Sequence, residues 1–169
     1  MTEPVRTTTA EVHVSYGFFQ IRDLDGQVTD QAFDASNGLV GTDATAAVVL
    51  TGIKSGPVNL TVELLDTAPG SVDLDDWDEV VEVSVDSEDG ELLACGDLDT
   101  PPGFMDLSHT GPGTYRLRVH ARGRDTAPKA PVDEPVEDYK ISVWPAPEAA
   151  ETIYKQSDNH GQEIRTTRS

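Results

Sequence analysis

The residues of this chain with the most chemical character form one short run: Asp73, Asp75, Asp76, Asp78 and Glu79, five carboxylates within seven positions, with Trp77 among them. So many like charges cannot all be buried or paired locally, and the run is expected to stand in water as a loop with a negative field. Three readings suit it. It is a plain solvated loop that serves solubility. It is a carboxylate surface, anchored by Trp77, that imitates the phosphates a basic protein binds. It is a set of hard oxygen donors for calcium. The calcium reading lacks the spacing of an EF-hand: counted from Asp73, the position that needs glycine is Asp78 and the position that needs Glu is Ser84. Asp73, Asp75, Asp76, Trp77, Asp78 and Glu79 are therefore taken as candidate partner-binding residues, and no metal ligands are assigned.

A second constellation is basic. Arg116, Arg118, His120, Arg122 and Arg124 recur at every other position, with Lys140 beside them if the last strand is adjacent. Alternation puts them on one face of a strand, expected to be exposed. Cross-strand pairing with carboxylates such as Glu82 is the expected role, at about 0.2–1 kcal/mol per pair. A nucleic-acid strip is the alternative, and the overall charge opposes it.

Catalytic arrangements are poor. His13, His109, His120 and His160 share no metal-ligand spacing, and the lone Cys95 completes neither a structural zinc set nor a disulfide. No G-x-S-x-G, phosphate-binding or dinucleotide glycine motif occurs. The chain is accordingly expected to bind rather than catalyse, with no cofactor.

Charge points the same way. Against 31 acidic residues stand 12 basic ones, a formal net charge of −19, and the segment from Ser55 to Tyr115 contains no Lys or Arg. Such a balance disfavours nucleic acid and anionic membranes, and its natural complement is a basic partner. Without a secretory-type opening segment, an apolar run of membrane length or a second cysteine, the expected compartment is the cytoplasm.

The elements that must position these residues are strands. Val58, Leu60, Val62 and Leu64 alternate with polar residues, as do Val81, Val83 and Val85. Tyr115, Leu117, Val119 and Ala121 oppose the basic stripe on the clearest strand, and Tyr139, Ile141 and Val143 mark the last one. Ala46 to Leu50 is apolar on both faces, as in a central strand. Apolar parity switches between Tyr16 and Phe19, which a bulge at Gly17 within one bent strand from Val12 to Ile21 would reconcile. Seven to nine short strands separated by Gly, Pro and Asp turns predict an all-β fold. Its expected form is an antiparallel β-sandwich of Greek-key or jelly-roll type, with a closed barrel as the alternative. The expected organisation is a disordered tail over 1–9, one β domain over 10–147, and a C-terminal tail over 148–169 with a helical turn near Glu148 to Tyr154.

Five segments carry a resemblance. The strand Val12-His-Val-Ser-Tyr-Gly-Phe-Phe-Gln-Ile-Arg-Asp23, the turn Ala35-Ser-Asn-Gly38 and the strand Gly113-Thr-Tyr-Arg-Leu-Arg-Val119 together resemble the competence-protein-J group, inhibitors of a DNA-entry nuclease. Val119-His-Ala-Arg-Gly-Arg-Asp125 and Tyr139-Lys-Ile-Ser-Val-Trp-Pro-Ala146 resemble related uncharacterised bacterial proteins. The resemblance implies an inhibitor or immunity-type role against a basic nuclease or toxin, and it transfers no inhibitory motif. A calcium- or carbohydrate-binding module and a structural assembly component are the alternatives.

Overall fold

A computed structural model of the chain describes residues 4–96, 100–101 and 104–168. Residues 1–3 of the expected N-terminal tail, and Ser169 of the C-terminal one, lie outside the described residues. The strands are β1 (Arg6–Val14), β2 (Phe18–Asp23), β3 (Val40–Thr42), β4 (Ala46–Leu50), β5 (Gly56–Leu64), β6 (Glu79–Ser87), β7 (Leu92–Cys95), β8 (Gly113–Arg122), β9 (Asp138–Pro145) and β10 (Thr152–Gln156). A 3-10 helix (Asp30–Phe33) precedes β3, and one α-helix, α1 (Asn159–Arg168), follows β10.

Six strands form one sheet in the order β1-β5-β9-β8-β6-β10, and four form another in the order β3-β4-β2-β7. The alternating residues fill the space between the sheets: Val58, Leu60, Val62 and Leu64 of β5, Val81, Val83 and Val85 of β6, and Leu117 and Val119 of β8 join Phe19 and Ile21 of β2 and Val49 of β4 in one core. The Phe19 ring meets the Tyr139 ring edge-on at 5.3 Å, tying one sheet to the other. A smaller cluster covers the outer side of the four-stranded sheet, where Ala32, Ala35, Val48 and Leu50 pack with Phe18, Phe33 and Ile164. That cover explains why every residue of β4 is buried.

All-β is the correct class, and three of its expected details differ. The six-stranded sheet is mixed, because β5 and β9 pair in parallel from Asn59↔Asp138 to Leu64↔Val143 while the other pairs are antiparallel. Alternating side chains report which face is buried and carry no information on strand direction. The described residues hold ten strands rather than seven to nine, the surplus lying in the three-residue β3 and in β10. Finally, Val12 to Ile21 is not one bulged strand. β1 belongs to one sheet and β2 to the other, joined by a turn in which Tyr16 (φ 59°) and Gly17 (φ 80°) are both left-handed and Ser15 bridges Phe18. A bulge and a change of sheet produce the same switch in parity, so the pattern cannot separate them.

Regular elements lie within both stretches expected as tails. β1 begins at Arg6 and pairs with β5 along its whole length. Where a helical turn was expected, β10 pairs with β6 through Thr152↔Glu82 and Ile153↔Val81, with a register shift before Lys155. As an edge strand with little buried apolar surface, β10 is held by its backbone ladder and leaves little trace in hydrophobic periodicity. Asp158 then starts α1 as its N-cap, its Oδ1 accepting the Gly161 amide at 2.7 Å.

Candidate functional site

The segment of the acidic run lies just before β6 and crosses the outer end of β8, and its six candidate residues separate into two groups. Asp73, Asp75 and Asp76 are exposed. Trp77, Asp78 and Glu79 turn inward. Trp77 is only 8% exposed, its ring 5.4 Å from that of His120, with the Arg122 guanidinium 4.7 Å above it and the Lys140 ammonium at 5.8 Å. It anchors this protein to itself, in cation–π geometry. Asp78 accepts the Gly123 amide at 3.1 Å, and Glu79 is fully buried.

The basic stripe is a correction of the exposed face expected for it. Arg116, Arg118 and His120 are buried, and of the stripe residues on β8 only Arg122 reaches solvent as expected. The predicted pairing is present: Glu82 accepts Arg116 Nε at 2.7 Å and Arg118 Nε at 2.9 Å. Two segments bury the stripe: the acidic one, whose Ser71 carbonyl accepts Arg118 at 3.2 Å and whose Trp77 covers His120, and the one leading into β10. Arg116 also donates to the carbonyls of Ala149 and Ala150 at 2.9 and 2.6 Å, and Arg118 lies 5.3 Å from the Trp144 ring and 5.0 Å from that of Tyr154. Burial pushes His120 down to about 4, and its Nδ1 is 2.9 Å from the Lys140 carbonyl.

Beyond β8 the stripe ends in an enclosed ionic network. Arg124 donates to both carboxylate oxygens of Asp158, at 2.7 and 2.9 Å, and to the carbonyls of Gly38 and Leu50. Glu79 lies 3.6 Å from Arg124 and 3.1 Å from Arg165, and accepts the Asp158 amide. Burial, aided by the charge of Asp158, raises the Glu79 pKa against the pull of the two arginines. Glu137 accepts the amides of Gly52 and Ile53 and the Tyr139 hydroxyl, and burial raises its pKa as well. Gly52 is required here, since a Cβ would sit 2.3 Å from the Arg124 carbonyl oxygen. Sequence reading missed Asp158, Arg165 and Glu137. For Asp158 a signal existed, an Asp placed to cap a short polar helix.

The consequence is a division of charge. Among the described residues most cations have a partner within the chain: besides those above, Lys129 pairs with Glu163 at the surface, Lys140 with Glu63, Lys155 donates to the Leu74 carbonyl, Arg22 to those of Asp23 and Leu24, and Arg6 to that of Asp106, while exposed Lys54 forms no ion pair. Six of the described carboxylates are buried in contacts and caps, and Asp73, Asp75 and Asp76 are among those that stand outside. A second acidic group arises where Asp23, buried at the end of β2, accepts the Ser87 hydroxyl at 2.6 Å and the amides of Glu88 and Asp89. These bonds draw two turns together, so that exposed Asp25, Glu88, Asp89 and Glu91 surround Leu24, itself 52% exposed. At about 3.3 Å per residue, the nine residues of β6 hold this group roughly 30 Å from Asp73, Asp75 and Asp76. No group of three or more His, Cys, Asp or Glu among the described residues converges as a metal site. No helix among them is long and apolar enough to cross a membrane.

Fold and surface together define an all-β protein of two sheets in which most described cations have partners within the chain and two turn clusters of carboxylates are exposed. Its backbone is similar to the crystal structure of ComJ, inhibitor of the DNA degrading activity of NucA, from Bacillus subtilis, with a TM-score of 0.55 and 14% sequence identity over 86% of this chain and 99% of that one. A second solved structure, of crocagin biosynthetic gene J, aligns with 85% of this chain and 100% of its own at a TM-score of 0.48 and 16% identity. No family model matches the sequence, and no curated protein matches it. The ComJ-like fold agrees with the resemblance carried by the strand and turn segments quoted above.

Proposed function

We propose that this chain is an acidic binding protein that inhibits a cationic partner, a nuclease or toxin, by occupying its basic cleft. The observation that carries the reading is the division of charge: most cations paired within the protein, Arg116, Arg118 and Arg124 among them, and the carboxylates of two turn clusters left in water. Such a surface steers a basic partner toward it and repels nucleic acid, so the chain competes for a nuclease without binding its substrate. The fold shared with ComJ, which inhibits the DNA degrading activity of NucA, supports the same choice of partner class. Asp73, Asp75 and Asp76 form one contact surface and Asp25, Glu88, Asp89 and Glu91 with Leu24 the other. The role is stoichiometric occlusion rather than catalysis, and the cytoplasm is the compartment in which we expect it.

The test is DNA degradation by a NucA-type nuclease of the same cell, with rising amounts of this protein, at low and at moderate salt. Equimolar loss of degradation at low salt, weakened by salt and by Asn or Gln at one acidic cluster, supports inhibition. Undiminished degradation at a large molar excess, or equal loss with polyglutamate, rejects it.

A further inference from the structure

Away from both acidic clusters, the Tyr16–Gly17 turn, the 51–54 segment, Lys129 and α1 residues His160 and Ile164 line an open pocket of about 370 Å³. Sites for small organic molecules begin at about 300 Å³. Leu50, Ile53 and Ile164 supply apolar lining, and no carboxylate lines it. The frame is built by backbone bonds between separate segments: Gly17 N to the Lys54 carbonyl at 2.9 Å, Thr51 N to that of Gly17 at 2.8 Å, and Lys129 N to that of Gly52 at 2.7 Å.

Three features of the chain meet at this pocket. Tyr16 (φ 59°) and Lys129 (φ 63°) are the two non-glycine residues with left-handed backbone among the described residues, and both line it. Strained backbone of this kind persists where surroundings over-determine it, and it concentrates at ligand sites. His160 forms part of the wall, and its Nδ1 is buried without a hydrogen-bond partner. Unsatisfied buried polar atoms are rare in folded proteins. Lastly, in a chain of net charge −19, two lysines stand here: Lys129, whose partner Glu163 is itself exposed, and Lys54, which forms no ion pair among the described residues. Tyr16, 84% exposed, holds an aromatic ring free beside them.

We propose that this pocket binds a small organic carboxylate with an apolar body, the carboxylate held by Lys54 and Lys129 and the body against Leu50, Ile53 and Ile164. The positive rim selects an anion, and the apolar lining rejects bare inorganic ions. The site is independent of the inhibitor surface, so either can fail alone.

Amide chemical shifts followed by NMR during titration with phenylacetate and octanoate, and with their neutral amides, test the assignment. Saturable shifts up to ~10 mM at Tyr16, Gly17, Gly52, Ile53, Lys54, Lys129 and His160 are expected. The carboxylates should bind about fivefold more tightly than the amides, from two weak charge contacts. Lys54→Met combined with Lys129→Met should abolish that preference. Lys54→Met alone, at an exposed position without an ion pair, should reduce it, with a circular dichroism spectrum that matches the parent's. Absence of saturable shifts, shifts scattered over the surface, or equal binding of acid and amide would overturn the proposal.

Discussion

Arg124 and Asp158 meet in a two-pronged ion pair closed to solvent, with Nε to Oδ2 at 2.7 Å, Nη2 to Oδ1 at 2.9 Å, and side-chain exposures of 0% and 1%. The same carboxylate caps α1, so one residue both neutralises a buried guanidinium and starts the helix that covers it. Asp158→Ala should lower the unfolding free energy by about 3–5 kcal/mol, because it strips buried Arg124 of its two-pronged partner, leaves only Glu79 at 3.6 Å, and removes the helix cap. Urea denaturation measures the loss. Changing both residues to Leu should cost less than the single change, and a loss under about 1 kcal/mol for Asp158→Ala would contradict an enclosed pair.

The pH dependence has opposing contributions. Burial pushes His120 down to about 4 in the folded protein against an ordinary 6.5, so between these values the unfolded chain binds a proton that the folded one refuses. Its contribution to stability is therefore complete above pH 6.5 and is lost as pH falls toward 4, by about 3 kcal/mol at most. Glu79 and Glu137 act in reverse. Their raised pKa values mean that the fold binds extra protons above the ordinary 4.5, and they weaken it as pH rises through that window. His120→Gln should flatten the acid limb of a stability–pH curve. An imidazole titrating near 6.5 by NMR would refute the assignment.

Trp77 is expected to matter for folding and not for partner contact. Removing the buried indole by Trp77→Ala should cost about 3–5 kcal/mol. Loss of the ring also leaves Arg122 and Lys140 without their aromatic neighbour. Trp77→Phe should keep most of the stability and all of the inhibition. Strong quenching of Trp77 fluorescence by iodide in a Trp144→Phe background would contradict its burial.

Neutralising the second acidic cluster, by Asp25→Asn, Glu88→Gln, Asp89→Asn and Glu91→Gln, should raise the melting temperature at low salt, since like charges repel across adjacent turns. The gain should shrink as ionic strength approaches about 0.3 M, where screening is short-ranged. Melting curves of parent and variant at two salt concentrations decide it. A variant no more stable than the parent at low salt would mean that these carboxylates do not repel one another.

Much of this was legible in the chain. The alternate apolar residues of 58–64, 81–85 and 115–121 face inward in the structure, as their alternation requires, and Cys95 is a buried strand residue. Glu82 is indeed the partner of the β8 arginines. The division of the acidic run was not legible, because Asp75 and Glu79 differ only in what packs beside them. Glu79 meets Arg124 and Arg165, which lie 45 and 86 positions further along.

By itself the sequence determined the local half of the fold: strand identity, the face each strand buries, and an excess of negative charge. Those follow from backbone sterics and from the two-residue period of side chains, which act between near neighbours. Tertiary structure alone decided that β5 and β9 run parallel, that β1 and β2 belong to different sheets, and that the arginine stripe lies under the approach to β10. Each of these depends on contacts between segments tens of residues apart, where the same alternating pattern fits several partners and the burial of the whole core selects one.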